Sequence, residues 1–384
     1  MLADRLRNSP IRDYLVSYNL YSWGENGSGE LGIGNTTDKS SPNQVGSETR
    51  WTDISSGTHD DVGKQHSLAI DNNQRLWAWG ENGNGQLGIG NTTDKSSPIQ
   101  VGTDKWLKIS AGYAVSHGIK HDNTLWGWGY WNNSNIGSGS FSDVTTPSQI
   151  LSGSGDYWIE VSSRYNHSFA ITNVGVLFTW GTDLYGETGL GYGPPVLTTI
   201  STPETVTPTP ELGWKIASAG NRFSLAIQND GTLWAWGEDT YGQIGLNGGG
   251  SGMGYESVPV QVGALTTWKN VSAGGGHSLA LKNDGTIWSW GYNGNGQLGH
   301  GDTTDRSSPT QIGSATDWVD ISAGYEFSLA LKSDGSLYAW GLNNIGQLGD
   351  GSTTTRLTPR QIGTNTIKYR NIDAGFDYSM GLRE

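Results

Sequence analysis

Apolar residues along this chain fall into short runs of period two. Trp268 to Gly274 (WKNVSAG), His277 to Lys282 (HSLALK) and Thr286 to Trp290 (TIWSW) each alternate in this way. Runs of that length and period read as half-buried strands. Asn283-Asp284-Gly285 separates the second run from the third, and its glycine supplies the positive φ of a tight hairpin. The same turn recurs as Asn229-Asp230-Gly231 and Ser333-Asp334-Gly335, and Asn123 takes the glycine's place in the third unit. Asparagine is the residue next most able to hold a left-handed backbone. Each unit then continues through a Gly-rich stretch such as Asn293 to Gly299 (NGNGQLG) into a polar loop. Three or four short antiparallel strands in about 50 residues describe a propeller blade.

The unit repeats seven times. A Trp-Gly pair recurs at Trp23, Trp79, Trp128, Trp180, Trp236, Trp290 and Trp340, at intervals of 56, 49, 52, 56, 54 and 50 residues. An aromatic residue opens the strand run before Ala-Gly or its equivalent at Trp51, Trp106, Trp158, Trp214, Trp268, Trp318 and Tyr369. The chain starts inside a unit, at Leu20 to Gly24, and finishes with Tyr369 to Leu382, the two strands that this first unit lacks. The expected fold is therefore all-β, a seven-bladed β-propeller closed by pairing N- and C-terminal strands in one blade. Residues 20–384 form that single domain, and residues 1–19 read as an N-terminal extension, a docking peptide for a larger assembly.

Composition supports this reading and narrows the function. Seventeen of the 18 Trp residues fall on three repeat positions, with Tyr21, Tyr338, Tyr369 and Phe178 filling in where Trp is missing. With few Leu, Ile or Phe, these rings must supply much of the core. A net charge of −13 opposes general attraction to nucleic acid or anionic membrane. Cys is absent, which excludes disulfides, zinc-thiolate sites and a cysteine nucleophile. No apolar stretch reaches signal-peptide or membrane-span length, which points to a cytoplasmic or virion-associated place rather than Sec secretion.

The run G-x-x-x-S-L-A-L-x-x-D-G-x-L-W-x-W-G-x-N-x-x-G-Q-L-G, as in Gly324 to Gly349, resembles the regulator-of-chromosome-condensation repeat, and the resemblance covers about Leu20 to Leu382. It implies the seven-bladed propeller. It also implies a range of roles, from guanine-nucleotide exchange factor and ubiquitin-ligase accessory domain to adaptor and bacterial inhibitor or effector, among which fold does not choose. Gly24 to Gly46 and Gly80 to Gly102 match at 20 of 23 positions, including the loop NTTDKSSP. Such loop identity reads as recent duplication or as a repeated ligand-contact surface, and it resembles bacterial or phage members more than eukaryotic nuclear ones.

No catalytic constellation emerges. His66, His167 and His277 share a repeat position with Val115, Phe223, Phe327 and Tyr378, so that position is one of packing, and His117 reads as another packed or water-facing ring. Asp230, Asp284 and Asp334 are turn formers. The Gly-rich segments lack the following helix of a phosphate loop, and no G-x-S-x-G elbow is present. No cofactor is expected. His59, Asp60 and Asp61 lie in an insertion and form a weak candidate for a divalent-cation site.

Positions that break the repeat are the better binding candidates. Trp131 is the one Trp outside the pattern, within Tyr130-Trp131-Asn132. Tyr185 and Tyr241 occupy comparable loops, and Arg164 stands where the other units place Gly. Tyr192 to Leu212, Pro- and Thr-rich, reads as a linker-like loop or docking arm projecting from the fourth blade. The expected function is a non-enzymatic binding or structural module that presents propeller loops to a protein or glycan partner, on a cell or virion surface. Exchange of guanine nucleotide on a small GTPase and inhibition of an enzyme by loop aromatics are the alternatives.

Overall fold

Seven prolines, one per unit, mark a fourth strand that alternation alone hides. Pro42, Pro98, Pro147, Pro203, Pro259, Pro309 and Pro359 each sit within the outermost strand of a blade. Proline has no N–H to give to a ladder, so a sheet tolerates it at an edge facing solvent. The structure, a computed structural model, describes residues 16–58, 65–131, 135–151, 157–194, 197–207, 212–248 and 254–384. Among the described residues there are 27 strands and no helix.

Blades are numbered by their Trp-Gly pair. Blade 6 is representative: Trp268–Ala273 is innermost, followed outward by His277–Lys282, Ile287–Gly291 and Arg306–Gln311. Lys95–Ala111 serves twice, as outer strand of blade 2 and inner strand of blade 3, so seven blades form six hydrogen-bonded sheets. Blade 1 closes the ring as expected. Asn19–Gly24 pairs antiparallel with Tyr378–Arg383, in register from Asn19 opposite Arg383 to Gly24 opposite Tyr378. The turn chemistry also holds: Gly231, Gly285 and Gly335 have φ of 83°, 80° and 84°, and Asn123 has φ of 63°.

The core lies between blades. The indole Nε1 of each Trp-Gly tryptophan donates to a loop carbonyl of the preceding blade, as in Trp290 to Gln243 O at 2.9 Å and, across the closure, Trp23 to Gln347 O at 3.0 Å. All seven interfaces carry this bond. The glycine two residues after the accepting carbonyl is required twice over. At Gly245 φ is +77°, and a Cβ would lie 2.8 Å from Trp290 Nε1. Buried histidines join the same seams: His66, His167 and His277 each place Nε2 within 2.9 Å of the Ser116, Ser224 or Ser328 hydroxyl of the next blade. Burial lowers His167 and His277 to about 3, so both stay neutral. His117 is packed too, between Ser163 Oγ and Ile136 O. The scarce cations have a place that sequence pattern did not reveal. Lys282 Nζ lies 3.5 Å from the Trp288 ring centroid, and Lys120 Nζ lies 3.3 Å from that of Trp126.

Three sequence readings change. The segment Tyr192 to Leu212 is no projecting arm, because Thr198–Thr205 forms the outer strand of blade 4 against Leu177–Asp183; residues 195–196 and 208–211 lie outside the described residues. Its Ser-Thr-Pro is a variant of the edge-strand Ser-Ser-Pro, disguised by a longer approach. The loop NTTDKSSP is constrained by folding after all: Asn26 Nδ2 donates to Asn35 O and Thr37 O, and Asp38 accepts Asn26 N–H. Asn82 and Asp94 repeat these bonds, so the aspartate and first asparagine of the loop serve structure, while the carbonyl acceptors leave its other side chains unspecified. The end of the N-terminal extension belongs to the ring, since Tyr18 pairs with Trp51 and Asn19 begins a strand, while residues 1–15 lie outside the described residues.

Candidate functional site

Strand direction gives the ring two unlike faces. Hairpin turns such as Asn283-Asp284-Gly285 and the connections between blades share one face, the turn face. The short loops joining first to second strands, and the long Gly-rich loops after Trp-Gly, share the other, the loop face. On the turn face the aspartates are structural. Asp284 Oδ1 accepts the Thr286 N–H and hydroxyl at 3.0 and 2.7 Å, and Thr286 Oγ1 in turn accepts Trp288 Nε1–H at 2.9 Å. These bonds hold the Asp284 carboxyl below its usual range.

The inner strands surround a polar channel of about 280 Å³. Near its loop-face end runs a girdle of hydroxyls: Ser55, Ser110, Ser162, Ser218, Ser272 and Ser322 Oγ each accept a backbone N–H from the next blade. At the seventh seam, where the chain ends meet, Asp373 takes the serine's place and accepts Ser56 N–H. Arg164 stands just beyond the girdle. Its guanidinium donates to Ala273 O at 3.0 Å and Ala323 O at 2.7 Å, and reaches Gly375 O at 3.5 Å. Burial brings it down to about 10, opposed by the Asp373 charge, so it stays protonated at neutral pH. Arg164 thus plugs the channel and bonds blades 6, 7 and 1 from blade 4. Six glycines at the equivalent position leave room for one such side chain.

The loop face collects the other candidates. Trp131 occupies the position of the loop-organising Asn26, Asn82, Asn293 and Asn343; its backbone N–H donates to Asp143 Oδ1 at 3.1 Å and the residue is 38% exposed. Tyr130 is half-buried beside it, and Asn132 lies outside the described residues. Tyr185 is half-buried, with the Arg222 guanidinium 5.2 Å from its ring centroid. Tyr241 is 45% exposed and packs against Tyr292 at 4.9 Å between centroids. The candidates therefore spread over several blades of one face, with Arg164 in the channel beneath. Sequence reading missed the short-loop aromatics around the mouth: Tyr113 against Tyr165 at 5.4 Å, and Tyr325 stacked on Phe376 at 4.0 Å. Their signal was a one-residue slot after Ala-Gly that carries an aromatic in several units. The weak cation candidate His59, Asp60 and Asp61 lies outside the described residues; among those described, no group of His, Asp or Glu is arranged to hold a metal.

The loop face is also acidic and partly held uncharged. Glu187 takes a position that is Gln at Gln86, Gln243, Gln297 and Gln347. Its Oε2 accepts Tyr185 N–H at 2.6 Å, and burial pushes it up to about 7, opposed by backbone N–H groups and helped by Asp183. A carboxyl raised in the fold stabilises fully below its unfolded pKa near 4.5 and loses that contribution as pH rises to about 7. Glu187→Gln should therefore remove roughly 3 kcal/mol of pH dependence across that window. Thermal unfolding at a series of pH values tests this, and equal slopes for variant and parent would refute it.

Comparison with known proteins completes the picture. A family model described as RCC1-like domain matches residues 159–381, and one described as regulator of chromosome condensation (RCC1) repeat matches residues 19–70 and 73–117. The ultraviolet-B receptor UVR8 of Arabidopsis thaliana is 30% identical over 307 residues, covering 77% of this chain and 67% of the receptor. Human probable E3 ubiquitin-protein ligase HERC6 is 29% identical over 76% of this chain, which spans only 23% of the ligase. Yeast RCC1 (Prp20), solved bound to Kap60, superposes with a TM-score of 0.83 at 19% identity, covering 96% of this chain and 89% of that one. Prp20p of Saccharomyces cerevisiae, described with its binding properties to Gsp1p and histones, superposes at 0.81 and 19% identity, covering 96% and 92%. These relatives are eukaryotic and lend no support to the bacterial or phage resemblance.

Proposed function

The chain belongs to the RCC1-repeat family of β-propellers, and we propose that it is a protein-recognition module whose loop face receives the partner. One observation carries the reading. Aromatic side chains, among them the exposed Trp131 and Tyr241, line the loop face around a channel that Arg164 stoppers, whereas Trp126, Trp234 and Trp288 beside the turn face are tied to the threonines of its aspartate turns. Aromatics on a rigid scaffold are the usual anchors of protein interfaces. Solved relatives that bind Kap60, Gsp1p and histones support a protein partner. Exchange-factor and inhibitor roles are narrower forms of the same reading, and a nucleotide-release assay on a small GTPase separates the first of them.

Photocrosslinking groups placed at Tyr113, Trp131 and Tyr241 on the loop face, and at Thr267 and Ser333 on the turn face, test the assignment in the native cell. The expected result is a discrete adduct from the loop-face positions alone. Adducts from the turn face alone, or from both faces equally, would overturn it.

A further inference from the structure

Within the loop face one stretch differs from the rest. Blade 6 joins its first two strands through Gly274-Gly275-Gly276, where blades 7 and 1 carry Tyr325-Glu326 and Phe376-Asp377 in the last two places. This glycine run has an aromatic pair on each side. Tyr325 covers Gly275, where a Cβ would fall 2.6 Å from Tyr325 Cδ2, and the Tyr325 ring is stacked on Phe376. A Cβ on Gly276 would lie 3.3 Å from Tyr292 Cβ and 3.8 Å from Tyr241 Cδ2. The two pairs thus meet across adjacent residues, one α-carbon step of about 3.8 Å apart.

The cleft is lined by acidic groups, although burial raises Glu326 and Asp377 and so lessens the charge that they carry at neutral pH. Glu326 sits at its wall, held by Asn295 Nδ2–H at 3.0 Å, and Asp377 follows Phe376. Glu25 and Asp305 add to the field: Asp377 rises to about 7 through burial, then Glu25 and Glu326, while Tyr292 rises through burial, then Glu326, Asp305 and Tyr241. Among the described residues none of these four carboxylates is ion-paired. The nearby cations are turned elsewhere, Arg222 over Tyr185 and Arg164 into the channel.

We propose that this cleft, floored by Gly276 and walled by Tyr241, Tyr292, Tyr325 and Glu326, takes an arginine side chain from a partner protein. A guanidinium can stack flat on an aromatic face while its fork engages a carboxylate, which is the combination offered here. A second copy of this chain is the wrong occupant, because the same negative face would meet itself. The inference rests on the loop face being the recognition surface and names the chemistry that it recognises.

The test is titration of the full chain with a hexapeptide alternating glycine and arginine, followed by calorimetry, beside the same peptide with glutamate for arginine. Saturable binding of the arginine peptide alone is expected, weakening with added salt. Glu326→Gln, Tyr241→Ala and Gly276→Val should each weaken it at least about ten-fold. Gly276 has no positive φ, so valine fills the cleft without backbone strain, and unchanged thermal unfolding confirms that the variant folds. No saturable binding, equal binding of the glutamate peptide, or unaltered affinity in Gly276→Val and Glu326→Gln would overturn the proposal. Loop-face crosslinking without arginine-peptide binding removes only this inference; peptide binding with crosslinks confined to the turn face removes the broader reading instead.

Discussion

Replacing Arg164 with alanine should destabilise the ring by roughly 2–4 kcal/mol, the loss expected when charged donors to several buried carbonyls are removed. Three acceptors on three blades, Ala273 O, Ala323 O and Gly375 O, lose their donor at once. The Asp373 carboxylate at the closing seam loses its nearby positive charge as well. Lysine should not rescue the variant, because one ammonium on a flexible stem cannot reproduce a planar fork spanning separate carbonyls. Glycine, which the other six units carry here, should be no better than alanine, since one plug serves the whole ring. Chemical denaturation followed by tryptophan fluorescence reads the effect. A midpoint unchanged in Arg164→Ala would mean that solvent in the channel satisfies those carbonyls equally well.

Ending the chain at Lys368 should have a still larger effect: loss of the cooperative unfolding transition. The deletion removes Tyr369–Ala374 and Tyr378–Arg383, leaving Asn19–Gly24 with its outer neighbour Lys39–Gln44 and nothing inward. Tyr378, Met380 and Leu382 pack in one cluster with Leu20, Trp51 and Trp79, so Trp51 and Trp79 of blade 2 would be bared to water. Tyr369 and Ile372 likewise cover Phe327 and Leu329 of blade 7. Both flanking blades lose their cover, and a two-stranded remnant is at best marginal alone. Far-ultraviolet circular dichroism during heating tests this. A truncated chain that still unfolds in one sharp step near the parent's temperature would show that closure contributes little.

How far the residues announce their own roles depends on how local each role is. Turn chemistry, half-buried alternation and the Trp-Gly marker are settled within a few positions, so blade number and the pairing of the chain ends could be read directly. The fourth strand was harder, since its prolines and serines look like loop, and only the edge position makes proline acceptable there. Trp131 stood out as an exception, yet what it replaces, the asparagine that ties the long loop together, became visible only when Asn26 and Asn82 were seen bonded to the carbonyls of their loops. Tyr292 gave no warning, because a tyrosine after Trp-Gly has no partner until the ring brings Tyr241 beside it.

The residues by themselves determined the all-β class, seven blades and a ring shut by its two ends, because period, turn type and marker spacing are properties of nearby positions. Only the tertiary structure decided what stands across the ring. Arg164 bonds carbonyls 109 and 159 residues away in sequence, and the Gly276 cleft is walled by residues from several blades. Closing a propeller brings distant units into contact through curvature accumulated blade by blade. No single repeat encodes which side chains will meet at the mouth of its channel.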